Sequence, residues 1–136
     1  MQQEALALLE KGKYVFLATC DGDQPRVRPF GFMGGQHDGK LWFCTATNKD
    51  VYAQLRRNPK LELAVTTTPD MLTLRIAGVA VFEDNREVKE AVLKKSELVR
   101  SIYKTADNPV FAVFFIDQGT GSITDMQGNP PKQFTL

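Results

Sequence analysis

Residues 14–32, YVFLATCDGDQPRVRPFGF, decide the fold. The opening YVFLATC is rich in β-branched and aromatic residues and reads as a strand, and DGDQP (21–25) reads as a turn. RVRPFGFM (26–33) then alternates, with Arg26, Arg28, Phe30 and Phe32 on one face and Val27, Pro29, Gly31 and Met33 on the other. Two short strands joined by a tight turn pair antiparallel. Pro29 and Gly31 mark the second strand as bulged, or as an edge where a ligand approaches the backbone.

Working outward, GGQHDGK (34–40) is a loop and LWFCTAT (41–47) a third strand. TNKDVYAQLRRNP (47–59) carries helix signals: Thr47 or Asn48 as N-cap, Asp50 in the first turn, Val51 and Leu55 as i, i+4 partners, and Pro59 as the stop. Upstream, QQEALALLEKGK (2–13) suits a short amphipathic helix ending at Gly12. Downstream come two strands, KLELAVTTT (60–68) and MLTLRIAGVAVFED (71–84), joined by a Pro-Asp turn. REVKEAVLKKSELVRSIY (86–103) follows as one helix with Val88, Ala91, Val92, Val99 and Ile102 along a stripe. VFAVFFID (110–117) and GSITDM (121–126) read as a final hairpin before a polar tail. Strands in runs, without βαβ alternation, predict a mainly β fold with flanking helices (α+β): a closed or partly split antiparallel barrel in one domain over residues 1–136.

The composition, 43% hydrophobic and 24% charged over 136 residues, is that of a globular chain and excludes wholesale disorder. Lys and Arg (17) against Asp and Glu (16) leave +1, which gives no electrostatic basis for a nucleic-acid or membrane surface. No apolar run approaches the ~18 residues of a membrane span and no leader is evident, so a cytoplasmic protein is expected. Cys20 and Cys44 lack metal-site spacing and read as reduced thiols within strands.

The donor chemistry is concentrated in two places. Arg26 and Arg28 share a strand face, and arginine binds phosphate oxygens through paired donors. One strand later, Thr45, Thr47, Asn48 and Lys49 lead into a helix N-terminus, where free N–H groups and the dipole favour an anion. Arg28 and the 47–49 corner therefore converge on a single anion, or else the arginines lie on a solvated face and the Thr/Asn pair is only a cap. Neither GxxxxGK[ST] nor a GxGxxG after a strand occurs. His37, the single histidine, reads as an exposed loop residue, or as a proton donor if that loop borders the site. No metal site and no nucleophile with a base partner is evident. Catalysis would fall to a cofactor.

The ordered set VFLATCDGDQPRVRPFGF, GKLWFCTATNKDVYAQLRRNPKLELAV, LRIAGVAVFED and DNPVFAVFFI resembles the pyridoxamine 5′-phosphate oxidase-like family of FMN-binding split barrels, in particular its small bacterial, nitroimidazole-reductase-like members. The resemblance spans nearly the whole chain and implies an antiparallel split β-barrel. It also implies FMN as cofactor. Arg28 matches the family arginine at the FMN phosphate, Pro29 and Phe30 run beside the flavin ring, and Thr45 matches a flavin contact. Asn48 and Lys49 match the phosphate corner, next to Thr47. The family pattern further implies a homodimer with flavin at the subunit interface, approached by Thr73 and Arg75 of the opposite subunit.

Two departures bear on the reaction. The chain ends GNPPKQFTL where vitamin B6 oxidases carry an Arg- and His-containing substrate segment, and Thr73 stands where the family has a flavin-contacting glutamine. The resemblance thus implies an FMN oxidoreductase passing electrons from a reduced nicotinamide nucleotide to a small acceptor, rather than pyridoxamine phosphate oxidation. The alternatives are the same barrel using deazaflavin F420 or haem, and a flavin or small-ligand binding module without turnover.

Overall fold

The computed structural model describes residues 2–136. Its elements run α1 (Gln2–Gly12), β1 (Tyr14–Asp21), β2 (Gln24–Gly31), β3 (Gln36–His37), β4 (Lys40–Ala46), α2 (Asp50–Arg57), β5 (Lys60–Thr67), β6 (Leu72–Phe82), α3 (Arg86–Lys95), α4 (Glu97–Tyr103), β7 (Phe111–Thr124) and β8 (Lys132–Thr135). All pairings are antiparallel in the order β2-β1-β5-β6-β7-β4-β3, with β8 added on β7. The sheet curls on itself without joining β2 to β4, which is the split barrel expected. Among the described residues no helix is long and apolar enough to cross a membrane.

Alternation along the strands builds two cores. Val15, Leu17, Phe30, Phe43, Leu63, Ile76 and Phe114 fill the barrel, and α1 closes one opening with Ala5, Leu8 and Leu9. Outside the barrel, Trp42, Phe111, Val113 and Phe115 on β4 and β7 receive Val88, Val92 and Leu93 of α3 and Val99 and Tyr103 of α4. Each buried aliphatic or aromatic side chain contributes about 1.5–3 kcal/mol relative to exposure.

Four expectations are corrected. The helix over 86–103 is two helices: Ser96 caps the end of α3 and also accepts from Val99 N (3.2 Å) at the start of α4. The break turns the stripe, so Ile102 is exposed at 57% while Val99 is buried. The expected hairpin over 110–126 is the single strand β7, which pairs along its first half with β4 and along its second half with β8. DQGTG (117–121) looks like a turn, but Gln118 at φ 52 takes up a bulge against Gly78 and the chain continues. The polar tail contains β8, whose Phe134 lies over Gly121; a Cβ there would come within 2.2 Å of the ring. A short strand β3 also forms inside the expected 34–40 loop.

Candidate functional site

The inward face of β2 and the buried face of α2 meet through one arginine. Arg28 Nη1 donates to Leu17 O (3.1 Å) and Thr19 Oγ1 (2.8 Å), and Nη2 donates to Gln54 Oε1 (2.7 Å). Arginine is donor-only, so the Gln54 amide must present its oxygen, and the Thr19 hydroxyl is then free to donate to that oxygen as well (2.6 Å). Thr19 and Gln54 are buried, the latter on the same α2 face as Val51 and Leu55. The triangle fastens α2 to the β1–β2 hairpin. It consumes three Arg28 donor contacts and leaves the rest of the guanidinium's donors unpaired among the described residues.

Every one of those partners is neutral. Arg28 forms no ion pair among the described residues. Burial lowers its pKa, the Arg26 charge adds to that effect, and Asp50 opposes it. Arg26 is different: its Nε donates to Asp21 Oδ2 (3.1 Å), and Arg57 lies 3.6 Å from the other Asp21 oxygen. Arg26, Arg28, Asp50, Gln54 and Arg57 line a groove of about 620 Å³ between β2 and α2.

Thr45 lies across the split from this groove. β2 and β4 face each other through Phe30–Phe43 (6.3 Å) and Phe32–Phe43 (5.3 Å) ring contacts. Two residues further along each strand come Arg28 and Thr45, both toward the end of the barrel where α2 begins. Thr45 is 3% exposed, and its Oγ1 has no hydrogen-bond partner among the described residues. A buried hydroxyl left unpaired costs about 1–3 kcal/mol. A buried polar atom of this kind calls for a partner.

The other expected site residues lie on β2, in the turn before α2 and on β6. Thr47 is half-buried with its N–H on Val110 O (2.9 Å), while Asn48 and Lys49 are exposed at the corner. The expected cap is corrected here: Lys49, with extended backbone and no side-chain cap bond, occupies the N-cap position rather than Thr47 or Asn48. Lys49 N bonding Ala46 O (3.1 Å) makes 46–49 a turn and delays the helix to Asp50. Pro29 is exposed on β2, which is unpaired on that side of the sheet. The Phe30 ring is committed to the core, edge-on to Phe43 and Phe114 (6.0 Å), so main-chain atoms are what Phe30 offers a ligand. Thr73 and Arg75 stand on β6, Thr73 sharing a hydroxyl bond with Thr66 (2.8 Å) and Arg75 paired with Glu62.

Elsewhere, His37 belongs to β3 rather than to an exposed loop; it is half-buried, and its carbonyl accepts Trp42 Nε1 (3.2 Å). Cys20 and Cys44 are free and lie in β1 and β4, and burial pushes the Cys44 thiol up to about 11. Sequence reasoning missed Thr19 and Gln54. The available signal was a polar residue, Gln54, on the apolar stripe of α2.

With this geometry in hand, the relatives can be placed. The pyridoxamine 5′-phosphate oxidase family model matches residues 1–121. A NimC/NimA family protein from Clostridium acetobutylicum superposes with a TM-score of 0.88 at 34% identity, covering 99% of this chain and 92% of its own. A pyridoxamine 5′-phosphate oxidase-related, FMN-binding protein from Nostoc punctiforme shares the fold at TM-score 0.75 and 17% identity, over 98% of this chain and 88% of that one. A haem-binding protein from Mycobacterium smegmatis shares it at TM-score 0.77 and 18% identity, over 98% of this chain and 57% of that one. No curated protein matched. Fold, strand order and sequence agree, and the chain belongs to the pyridoxamine 5′-phosphate oxidase family.

Proposed function

We propose that this protein binds FMN at the β2–α2 end of the barrel and works as an FMN-dependent oxidoreductase. The observation that carries the reading is Arg28: a partly buried cation, oriented by neutral acceptors, with no carboxylate bonded to it among the described residues and Asp50 acting on it only through its charge. A phosphomonoester is the natural complement of such a group. Lys49, Asn48 and Thr47 stand at the start of α2, where the helix dipole favours the same charge. The unpaired Thr45 hydroxyl suits a polar edge of the ring system, and Pro29 and Phe30 offer edge-strand main chain to a flat ligand. FMN held there would supply redox chemistry between a reduced nicotinamide nucleotide and a small acceptor. The chain's own part is to bind, orient and exclude water.

The reading includes a homodimer. Tyr14, Phe16 and Val27 are 56%, 59% and 67% exposed and share the outer face of the β1–β2 hairpin with Pro29, since Phe16 lies opposite Pro29 and Ala18 opposite Val27. A contiguous apolar face next to the proposed cofactor groove suits burial against a second copy, with Thr73 and Arg75 reaching the opposite flavin.

The first experiment is an absorption spectrum of the protein as purified, with the released ligand identified by mass. Flavin bands and an FMN mass support the reading; a Soret band, an F420 mass or failure to take up added FMN overturns it. Turnover is then tested by NADH or NADPH reduction under anaerobic conditions, and light scattering of wild type and Phe16→Glu tests the dimer. A dimer that Phe16→Glu converts to monomer is expected.

A further inference from the structure

We propose that Thr19 and Gln54 are positioning residues that hold Arg28 so that the site selects a phosphomonoester over its uncharged counterpart. The inference rests on the FMN reading above and concerns how that site tells FMN from riboflavin. A free arginine side chain samples many rotamers and loses them when an anion binds. Here that ordering is already complete: two buried side chains and the Leu17 carbonyl fix the guanidinium at 2.7–3.1 Å, with bonds running Arg28→Thr19→Gln54 and Arg28→Gln54. Both anchors are at least nine-tenths buried, at 3% and 6% exposure, so neither is a passing surface contact.

The chemistry of the anchors matters as much as their place. Carboxylates at 19 or 54 would orient Arg28 equally well and would also neutralise it. A hydroxyl and an amide orient it and leave its charge intact. Arg26, two residues away on the same strand, shows the opposite solution, with Asp21 holding it by an ion pair. The difference assigns phosphate recognition to Arg28 and its two neutral anchors, and leaves Arg26 as part of a surface network.

The test compares FMN and riboflavin affinities by fluorescence titration in wild type, Arg28→Ala, Thr19→Val/Gln54→Met, Thr19→Ser and Gln54→Glu, each checked for folding by circular dichroism. The isosteric double variant should lose about tenfold or more of the FMN-over-riboflavin preference, because hydrogen bonds to a charged group are what it removes. Thr19→Ser keeps the hydroxyl and should stay near wild type. Gln54→Glu should lose preference while remaining folded, because the carboxylate cancels the charge. If Arg28→Ala loses the preference and the double variant keeps it, the positioning role is overturned and the FMN reading stands. If the wild type does not prefer FMN, or Arg28→Ala keeps the preference, the site assignment fails and the inference with it. A purely structural role for Thr19 and Gln54 would shift melting temperature and leave the affinity ratio unchanged, which also overturns it.

Discussion

Arg28 and Lys89 are both cations drawn into the fold, and they are satisfied in opposite ways. Lys89 is 7% exposed on α3, its stem against the outer core and its ammonium 5.7 Å over the Phe111 ring, and it pairs with Asp84 Oδ1 at 2.8 Å. Its charge is met within the chain. Arg28 is held by a carbonyl, a hydroxyl and an amide, and no carboxylate bonds it among the described residues, Asp50 acting only through its charge. A cation paired within the chain is structure; an oriented cation outside any ion pair is a candidate binding group. Lys89 is the more buried of the two, and their partners differ as well.

The comparison can be broken at its strong end. Arg28→Met should weaken FMN binding by about 100-fold or more, since charge-assisted contacts to phosphate are worth roughly 1.5–3 kcal/mol each. Lys89→Met should leave the same titration unchanged, because it removes a pair with the exposed Asp84 carboxylate and touches none of the Arg28 partners. Equal losses in the two variants would erase the distinction.

Thr45→Val should act in two directions. Removing an unpaired buried hydroxyl stabilises the free protein by about 1 kcal/mol, read as a higher melting temperature, while weakening FMN about tenfold. A variant neither more stable nor weaker in binding would place Thr45 outside the site.

pH sharpens the contrast. A phosphomonoester loses its second charge near pH ~6, so the preference for FMN over riboflavin should fall as pH drops from 8 to 5. The smallest effect belongs to Asp84, whose carboxyl is held below its usual range by the hydrogen bond from Lys89 and by the charge of that ammonium. A depressed carboxyl pKa contributes stability above the unfolded value and loses it as pH falls through the folded one. Wild type should therefore melt slightly higher than Asp84→Asn at neutral pH, the gap closing below pH ~4. A gap that persists in acid would remove the ion pair as its cause.

Much of this was legible in the residues. The β1–β2 hairpin, β4, α2 and the β5–β6 pair follow from alternation and punctuation, because each carries its own period and its own stop signal. The continuous β7 was not legible: Asp117, Gly119 and Gly121 imitate a reversal, and the strand runs on only because β6 pairs with it on both sides of the bulge. Strand β8 has one buried anchor, Phe134, within a polar segment, too little for periodicity to register. Arg28 was legible as a donor, and its anchors were not, since residues 19, 28 and 54 are brought together by tertiary structure alone. The Phe30 ring shows the reverse failing: an aromatic beside the site is spent on packing.

Two of the open margins of the sheet, β2 and β8, share one trait. Strand β2 carries Pro25 and Pro29, which lack the N–H needed to recruit another strand, and β8 has four residues, begins at Lys132 and follows Pro130 and Pro131. Neither margin is a good template for ladder growth, so aggregation by strand addition is disfavoured at both. Side chains on the β1–β2 face carry no such guard. Strand addition is thereby disfavoured at these two margins, while Tyr14, Phe16 and Val27 leave the broad face of the hairpin apolar and open.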